Sequence, residues 1–578
     1  MEIKLRQGGS DLQPMAKVLY LRDVDWGFLN PTAEDEISYT KMENVERAAR
    51  RLLKALVYRE NVYIQVDSDC DGYTSAALLL NYMHEIAPVT VEEHWKYGLH
   101  KAKIHGIDLD NILEGTQLVI APDSSSNEQD KHAMLIAKGI DVIVLDHHEA
   151  DNTDGDPAII VNNQLCSYQN KFLSGVGVVF KVLQCCDHLQ HLDGSVNYYL
   201  DLVALGLTGD MMDLRAPETH YYITEGFKQV NNPFMVYLAD KNAYSMSGKY
   251  NPHTVAWYIV PFINAVTRVG SDEDKLLVFE SMLPWRAGEL IQSDKRGAKA
   301  GEEELRVVQA VRHASNIKRH QDEDKKKLLE EMYTKIQKYN LADEPIIIIQ
   351  NKGVEDDDPI RGITGLVANS IMATYNKPTL ILNEIVDTET GKVTWSGSGR
   401  GFFTGGIDSW RDYINGTGLA IFAQGHAMAF GVAFSPDNLE RFKQRVRDDF
   451  GTTQFEKTYE VDFIWTMNDD FDDAIMEIGR YRDIWGQGAP EPLIALEHIK
   501  IEDPIQLNLL NKGTLRIDLK PYRTSVVKFG SNIDEYQSLL GKTITVIGTC
   551  DINEWGNRAE PQIKIVDYFF ETVSSWDF

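Results

Sequence analysis

The sequence has little cysteine, no long apolar run and too few basic residues to balance its acidic ones. The five cysteines (Cys70, Cys166, Cys185, Cys186 and Cys550) form no Cys-x-x-Cys pair. A sparse, odd set of this kind excludes a disulfide scaffold, speaks against thiolate zinc and fits a reducing compartment. No apolar stretch approaches the roughly 18 residues that cross a bilayer. The opening Met-Glu-Ile-Lys-Leu-Arg is not that of a signal peptide, so the expectation is a cytoplasmic chain with no membrane partner. Lys and Arg number 58 against 87 Asp and Glu, a net charge of −29. A generic nucleic-acid coat would be basic, because phosphate neutralisation supplies its affinity. Net charge does not exclude a local groove or a carboxylate-rich metal site.

What is present is an ordinary globular composition over 578 residues, enough for three or four domains at about 150 residues each. Residues 40–215 alternate short apolar runs with amphipathic segments, the pattern of an α/β domain with a mainly parallel sheet. The runs with strand character are Asn61–Val66, Gln117–Ala121, Asp141–Leu145 and Leu202–Gly206; Thr74–Ile86 and Gln129–Lys138 read as helices. Residues 216–340 turn helical, and the charged stretch Glu302–Lys338 reads as a solvated connecting helix. A second α/β segment opens at Pro345–Gln350 and runs to about 450; beyond Tyr459 the pattern changes again, and Leu493–Phe570 reads as several short strands with turn signals, as in a small barrel or sandwich. The N-terminal forty residues and the acidic loop Glu355–Asp358 read as loop or peripheral structure.

The aspartates carry the chemistry. Each of the four expected strands runs into an acidic residue: Asp67-Ser-Asp69-Cys-Asp71-Gly72, Pro122-Asp123, Asp146-His147-His148 and Gly209-Asp210. Ends of parallel strands share one sheet edge, where ligand sites lie. So many carboxylates together would raise one another's pKa unless cations are present. Oxygen ligands suit Mg²⁺ or Mn²⁺, and an added imidazole tilts the choice towards Mn²⁺. Two such ions activate a water and stabilise a leaving oxygen, which points to phosphoester or phosphoanhydride hydrolysis. Asp-x-Asp-x-Asp-Gly is shared with calcium loops, but the twelfth position from Asp67 is Leu78 rather than Glu. Neighbouring side chains in extended backbone point opposite ways, so one of His147 and His148 would meet a metal and the other the substrate.

These four segments resemble the motifs of the DHH phosphoesterase superfamily, and within it the RecJ group of single-strand-specific 5′→3′ exonucleases. Ser174-Gly-Val-Gly-Val-Val-Phe-Lys resembles that group's glycine-rich helix start, and Pro261-Phe-Ile-Asn-Ala-Val-Thr-Arg268 its Pro-x-x-Asn-Ala-x-x-Arg segment. Gly362-Ile-Thr-Gly-Leu-Val-Ala, Gly397-Ser-Gly-Arg400 and Gly425-His-Ala-Met-Ala-Phe-Gly431 are similar to motifs of the DHH-associated domain. Trp485–Pro492 and Gly541–Asp567 resemble the entry loop and a strand pair of the family's oligonucleotide-binding (OB) barrel. The resemblance implies a DHH domain at 40–215, a helical connector at 216–340, a DHH-associated domain at 345–450 and an OB-like domain at 455–578.

Carried over, it implies metal ligands at Asp67, Asp69, Asp71, Asp123, His147 and Asp210 for two divalent cations, Mn²⁺ or Mg²⁺, with Asp123 as the bridge. Asp146 would orient a histidine, a second-sphere role that also stands on general grounds. His148 would contact the scissile phosphate, and Arg268, Ser398, Arg400, His426 and Lys101 would hold the 5′ end. Trp555, Tyr522 and Phe529 are candidates for stacking on bases. The substrate implied is single-stranded DNA, in repair, recombination or replication. A helicase or single-strand-binding protein would be a partner, in a bacterial or phage-infected cytoplasm. Three departures stand out: Ser124-Ser125-Ser126 where the family has Gly near the aspartate, Gln424 before Gly425, and His100-Lys101 in place of His-Arg, with His105 near an aromatic position. Lys keeps charge but loses the bidentate fork. The rivals are a DHH hydrolase of oligoribonucleotides or small nucleotides, and a metal-dead strand-binding protein of the same fold.

Overall fold

The fold comes from a computed structural model that describes residues 2–571 except 101–104, 152, 154, 193, 354–359, 388–389, 403–406, 454, 456, 503–505, 511–512 and 556–557. Lys101 and the acidic loop Glu355–Asp358 lie outside the described residues.

Runs rich in Val, Ile and Leu build the first sheet from β1 (Val62–Val66), β2 (Trp95–Leu99), β3 (Leu118–Pro122), β4 (Asp141–Asp146) and β5 (Ile159–Asn162). All are parallel, in the order β2-β1-β3-β4-β5. Side chains alternate between two cores, as the two-residue period requires. Ile64, Leu118, Ile120, Ile143 and Leu145 face the main core, while Val119, Ala121, Val142 and Val144 face a smaller one capped by Leu135 of the helix Gln129–Ala137. On the main-core side, α1 (Cys70–Ile86), α2 (Gly175–Gln190) and α3 (Leu200–Gly209) pack on one another.

The helix α3 corrects the sequence reading, which expected a strand at Leu202–Gly206. Its residues from Asp201 to Leu207 are all buried, and a short apolar run fits a buried helix as well as a buried strand. Close packing decides for helix: a Cβ on Gly206 would lie 2.4 Å from Thr74 Oγ1 and 2.5 Å from Asp71 Oδ1. Asp210 therefore stands at a helix C-terminus, and three strand ends rather than four carry the remaining acidic motifs.

Beyond α3, α4 (Val260–Val269) leads to the connector helix α5 (Arg306–Lys338), whose 33 residues span about 50 Å. It is more than a solvated spacer. Ala310, Val311 and Ala314 enter the main core, and Leu328, Met332 and Ile336 join Ile347 and Ile349 in a second one. Glu303–Leu305, expected as helix, pairs with Leu290–Gln292 as a small hairpin. The second α/β unit contains β6 (Ile347–Asn351), α6 (Ile360–Tyr375), β7 (Thr379–Val386), β8 (Val393–Arg400), β9 (Ala420–Gly425) and β10 (Ala429–Phe434). Its sheet runs β9-β10-β8-β7-β6, with only β6 and β7 parallel.

The C-terminal strands β11 (Phe463–Thr466), β12 (Leu493–Lys500), β13 (Leu507–Leu510), β14 (Thr514–Asp518), β15 (Ser525–Lys528), β16 (Thr543–Trp555) and β17 (Arg558–Phe570) form one mixed sheet in the order β11-β12-β16-β17-β15-β14-β13. The N-terminal segment is not peripheral to it. Glu2–Leu5 pairs in parallel with Thr458–Val461, and Arg22, just past the helix Pro14–Tyr20, binds Asp462 in a buried pair. Pairing across the whole chain is invisible to local pattern.

Candidate metal centre and arginine cleft

The expected ligands converge at the C-terminal edge of the first sheet. The chain leaves β1 at Asp67, and Asp69 caps α1 by accepting from Gly72 N–H at 3.1 Å. Asp71, in the first turn, accepts from Ser174 Oγ (2.8 Å) and from the N–H groups of Gly175 (2.6 Å) and Val176 (3.2 Å). The exposed amides of the α2 N-terminus thus hold one carboxylate of the cluster. Gly175 is required there, since a Cβ would lie 2.5 Å from Asp123 Oδ1.

After β3 the backbone turns through left-handed conformations at Asp123 (φ 63°) and Ser125 (φ 84°). The second is a position that favours glycine, which gives the family's usual glycine here a backbone reason. The turn aims Asp123 inward, where Oδ1 lies 3.2 Å from His147 Nε2. His147 Nε2 is also 3.4 Å from Asp210 Oδ2 and 3.9 Å from Asp71 Oδ2. Asp67 lies on the other side of the motif, with Oδ2 2.5 Å from His105 Nδ1.

The two neighbouring histidines have different surroundings. His147 is buried among the carboxylates, whereas the His148 side chain is 54% exposed. Asp146 fixes both. One of its oxygens accepts from His147 N–H (2.7 Å), His148 N–H (3.2 Å) and His148 Nδ1 (2.8 Å), and the other from Ser126 N–H (3.0 Å). Burial pushes the Asp146 carboxyl up, but the His148 hydrogen bond and both imidazoles outweigh it and hold it well below the usual range. For His148 burial opposes protonation, yet the hydrogen bond and charge of Asp146 raise it to about 9. Burial lowers His147, and His148 adds to that.

Asp123 and Asp210 are pushed well above the usual carboxylate range, first by burial and then by the charges of Asp71 and Asp69. Burial also raises Asp67, opposed by its bond to His105. Asp123 Oδ1 is buried with no hydrogen-bond partner among the described residues. A set of crowded oxygen donors, an imidazole and an orphaned carboxylate oxygen is the chemistry that a hard divalent cation satisfies. The residues present fit such ions.

The sequence-derived anion ligands are partly gathered. Gly362 and Gly365, one turn apart on α6, let that helix slot between two arginines. A Cβ on Gly362 would be 3.2 Å from the Arg268 carbonyl, and one on Gly365 2.6 Å from Arg400 Nη2. Ser398 Oγ lies 3.3 Å from Thr364 Oγ1, a contact not foreseen from sequence. Burial lowers the pKa of both guanidinium groups; Arg268 lowers Arg400 further, while the charge of Asp69 reaches Arg268 in the opposite sense. Among the described residues, no ion pair to a carboxylate forms at Arg268 or Arg400. Arg400 donates to the Gly399 carbonyl, at 2.7 Å. His426 is exposed in the β9–β10 turn, at the sheet end where Ala429 pairs with Arg400.

The stacking candidates separate. Tyr522 is half-buried, stacked on Phe471 at 4.5 Å with its hydroxyl on the Met467 carbonyl, so it serves the fold. Phe529 is exposed. Trp555 ends β16, but its side chain lies outside the described residues.

Known proteins share both the motifs and the fold. Residues 61–207 match the DHH family, N-terminal domain, and residues 466–567 match the RecJ OB domain. The chain is 32% identical over 565 residues, 96% of each chain, to the SPbeta prophage-derived protein YorK of Bacillus subtilis (strain 168), whose name describes a single-strand DNA-specific exonuclease. It is 25% identical over 568 residues to the single-stranded-DNA-specific exonuclease RecJ of the same organism, covering 95% of this chain and 66% of that one. The crystal structure of RecJ in complex with Mn²⁺ from Thermus thermophilus has the same fold, with a TM-score of 0.73 at 19% identity, covering 98% of this chain and 79% of that one.

Proposed function

The chain belongs to the RecJ group of the DHH family, and from that premise we propose that it is a metal-dependent exonuclease that hydrolyses single-stranded DNA from its 5′ end to nucleoside 5′-monophosphates. In this reading residues 40–215 are the catalytic domain, 216–340 the connector, 345–450 the substrate-binding domain and 455–578 the strand-gripping domain. The observation that carries it is the arginine pair: Arg268 and Arg400, without carboxylate partners among the described residues, bear on each other electrostatically, and Arg268 feels the charge of Asp69 in the carboxylate cluster. Two desolvated cations repel each other until an anion joins them, and planar guanidinium forks match phosphate oxygens.

Asp67, Asp69, Asp71, Asp123, His147 and Asp210 would hold two divalent cations, Mn²⁺ or Mg²⁺. Bound there, such ions supply water activation and neutralise charge on the leaving oxygen. The protein's own groups do the positioning. Arg268, Arg400 and Ser398, with His426 at the rim, hold the terminal 5′-phosphate, which leaves the next phosphodiester over the cluster. Asp146 fixes Nδ1 of His148, so Nε2 is the nitrogen left to meet an oxygen of that phosphodiester. The buried walls of the cluster exclude bulk water and strengthen these interactions. A helicase or single-strand-binding protein is the partner class such an enzyme would work with.

The test is product release from 5′-phosphorylated single-stranded DNA with Mn²⁺, labelled at either end, with a duplex control and Asp123→Ala as comparator. Mononucleotides from the 5′ end of the single strand alone, absent in the variant, support the proposal. Preference for short oligoribonucleotides would reassign the chain to another DHH hydrolase, and binding without turnover would make it a strand-binding protein.

A further inference from the structure

Two groups of potential ligand atoms, Asp123 with His147 and His148 and Asp71 with His147 and Asp210, are built around one imidazole. A third group is built around another. Asp67, Asp69 and His105 each bring a donor atom within 4.8 Å of the others. His105 Nδ1 lies 2.5 Å from Asp67 Oδ2, and the next residue, Gly106, donates its N–H to Asp67 Oδ1 at 3.3 Å. Consecutive residues after β2 are therefore tied to the first acidic motif, 38 positions earlier in the chain for His105. The imidazole is 50% exposed, so no packing requirement explains a histidine there.

We propose that His105 is a ligand of one of the two cations, completing a three-residue set with Asp67 and Asp69. This rests on reading the carboxylate cluster as a cation centre. His147 then supplies nitrogen to one ion and His105 to the other. An all-oxygen set suits Mg²⁺, whereas nitrogen donors move affinity towards transition metals. A second imidazole thus makes this centre more selective for Mn²⁺ over Mg²⁺ than one histidine alone would.

Calorimetric titration of the full chain with Mn²⁺, and separately with Mg²⁺, tests this on the wild type, His105→Ala and His105→Gln. The wild type is expected to take up two Mn²⁺. Both variants should bind one of them at least about tenfold more weakly while losing less Mg²⁺ affinity, so that their preference for Mn²⁺ falls. Unchanged Mn²⁺ binding in His105→Ala overturns the proposal. So does full recovery in His105→Gln, because a side-chain amide keeps a hydrogen bond to Asp67 but is a poor metal ligand, which would make His105 a positioning residue. A wild type that binds no Mn²⁺ defeats the cation-centre reading itself, a result distinct from either of those.

Discussion

Arg22 and Asp462, 440 positions apart, meet in a buried fork-to-fork ion pair, with Nη1–Oδ1 at 2.8 Å and Nη2–Oδ2 at 3.0 Å. Arg22 Nε also donates to the Pro490 carbonyl at 2.7 Å, its guanidinium lies 5.3 Å from the Trp485 ring, and Asp462 accepts from Leu493 N–H at 2.9 Å. The pair ties the start of the chain to the strand that enters the C-terminal sheet. Removing one partner of a buried pair costs about 3–5 kcal/mol, because the other charge is left uncompensated. Arg22→Ala is expected to lower stability by that order in urea unfolding and to open the 485–493 region to proteases. Arg22→Lys should not rescue it, since an ammonium cannot reproduce the fork.

The metal cluster predicts opposite effects of one substitution on stability and activity. Folded-state pKa values of Asp123 and Asp210 are raised, so this contribution to stability is full below the ordinary carboxylate range and is lost as pH rises through the raised values. At neutral pH without cations the crowded, buried carboxylates oppose folding. Asp123→Asn should therefore melt higher than wild type in chelator, while Mn²⁺ should stabilise the wild type more than the variant. Activity should fall by about a hundred- to a thousandfold, the scale of losing a group that acts on the reacting centre. Thermal melts with and without Mn²⁺ check the first pair of outcomes, and mononucleotide release the last.

Arg268 and Arg400 are expected to read the terminal phosphate. Arg268→Ala and Arg400→Ala should each weaken use of 5′-phosphorylated strands by about 10–100-fold, the equivalent of about 1.5–3 kcal/mol for a hydrogen bond to a charged group. Strands with a 5′-hydroxyl should be affected less. Equal losses on both substrates, measured as kcat/KM, would remove these residues from end recognition.

His220 sets an acid limit on stability. It is buried and stacked on Phe28 with ring centroids 4.2 Å apart, and burial lowers it to about 4. The unfolded chain takes up a proton below about 6.5, where the folded one does not. Stability is thus lost as pH falls from about 6.5 towards about 4, by about 3 kcal/mol from this group. His220→Phe should flatten that part of the stability–pH profile relative to wild type in denaturant titrations at fixed pH.

The acidic motifs were legible because the signal was short-range: an apolar run followed at once by an aspartate places that residue at the edge of a parallel sheet. Asp67, Asp123 and Asp146 stand where that logic puts them. Asp210 was legible as a motif but not in its place on α3, since a run such as Leu-Val-Ala-Leu satisfies a buried helix and a buried strand alike. Alternation in extended backbone foresaw that His147 and His148 would differ. Which of them faces the carboxylates depended on the bonds that Asp146 makes.

Local periodicity and spacing were enough to specify the α/β class and the acidic ends of three strands at Asp67, Asp123 and Asp146, and the resemblance to the DHH family supplied the rest of the ligand set and the glycine motifs. Folding in three dimensions was needed to show that Gly362 and Gly365 admit a helix between Arg268 and Arg400, that His105 reaches Asp67, and that Arg22 holds Asp462. Those relationships join distant stretches of chain, and the energy that selects them comes from burial and charge pairing that exist only once the sheets have formed.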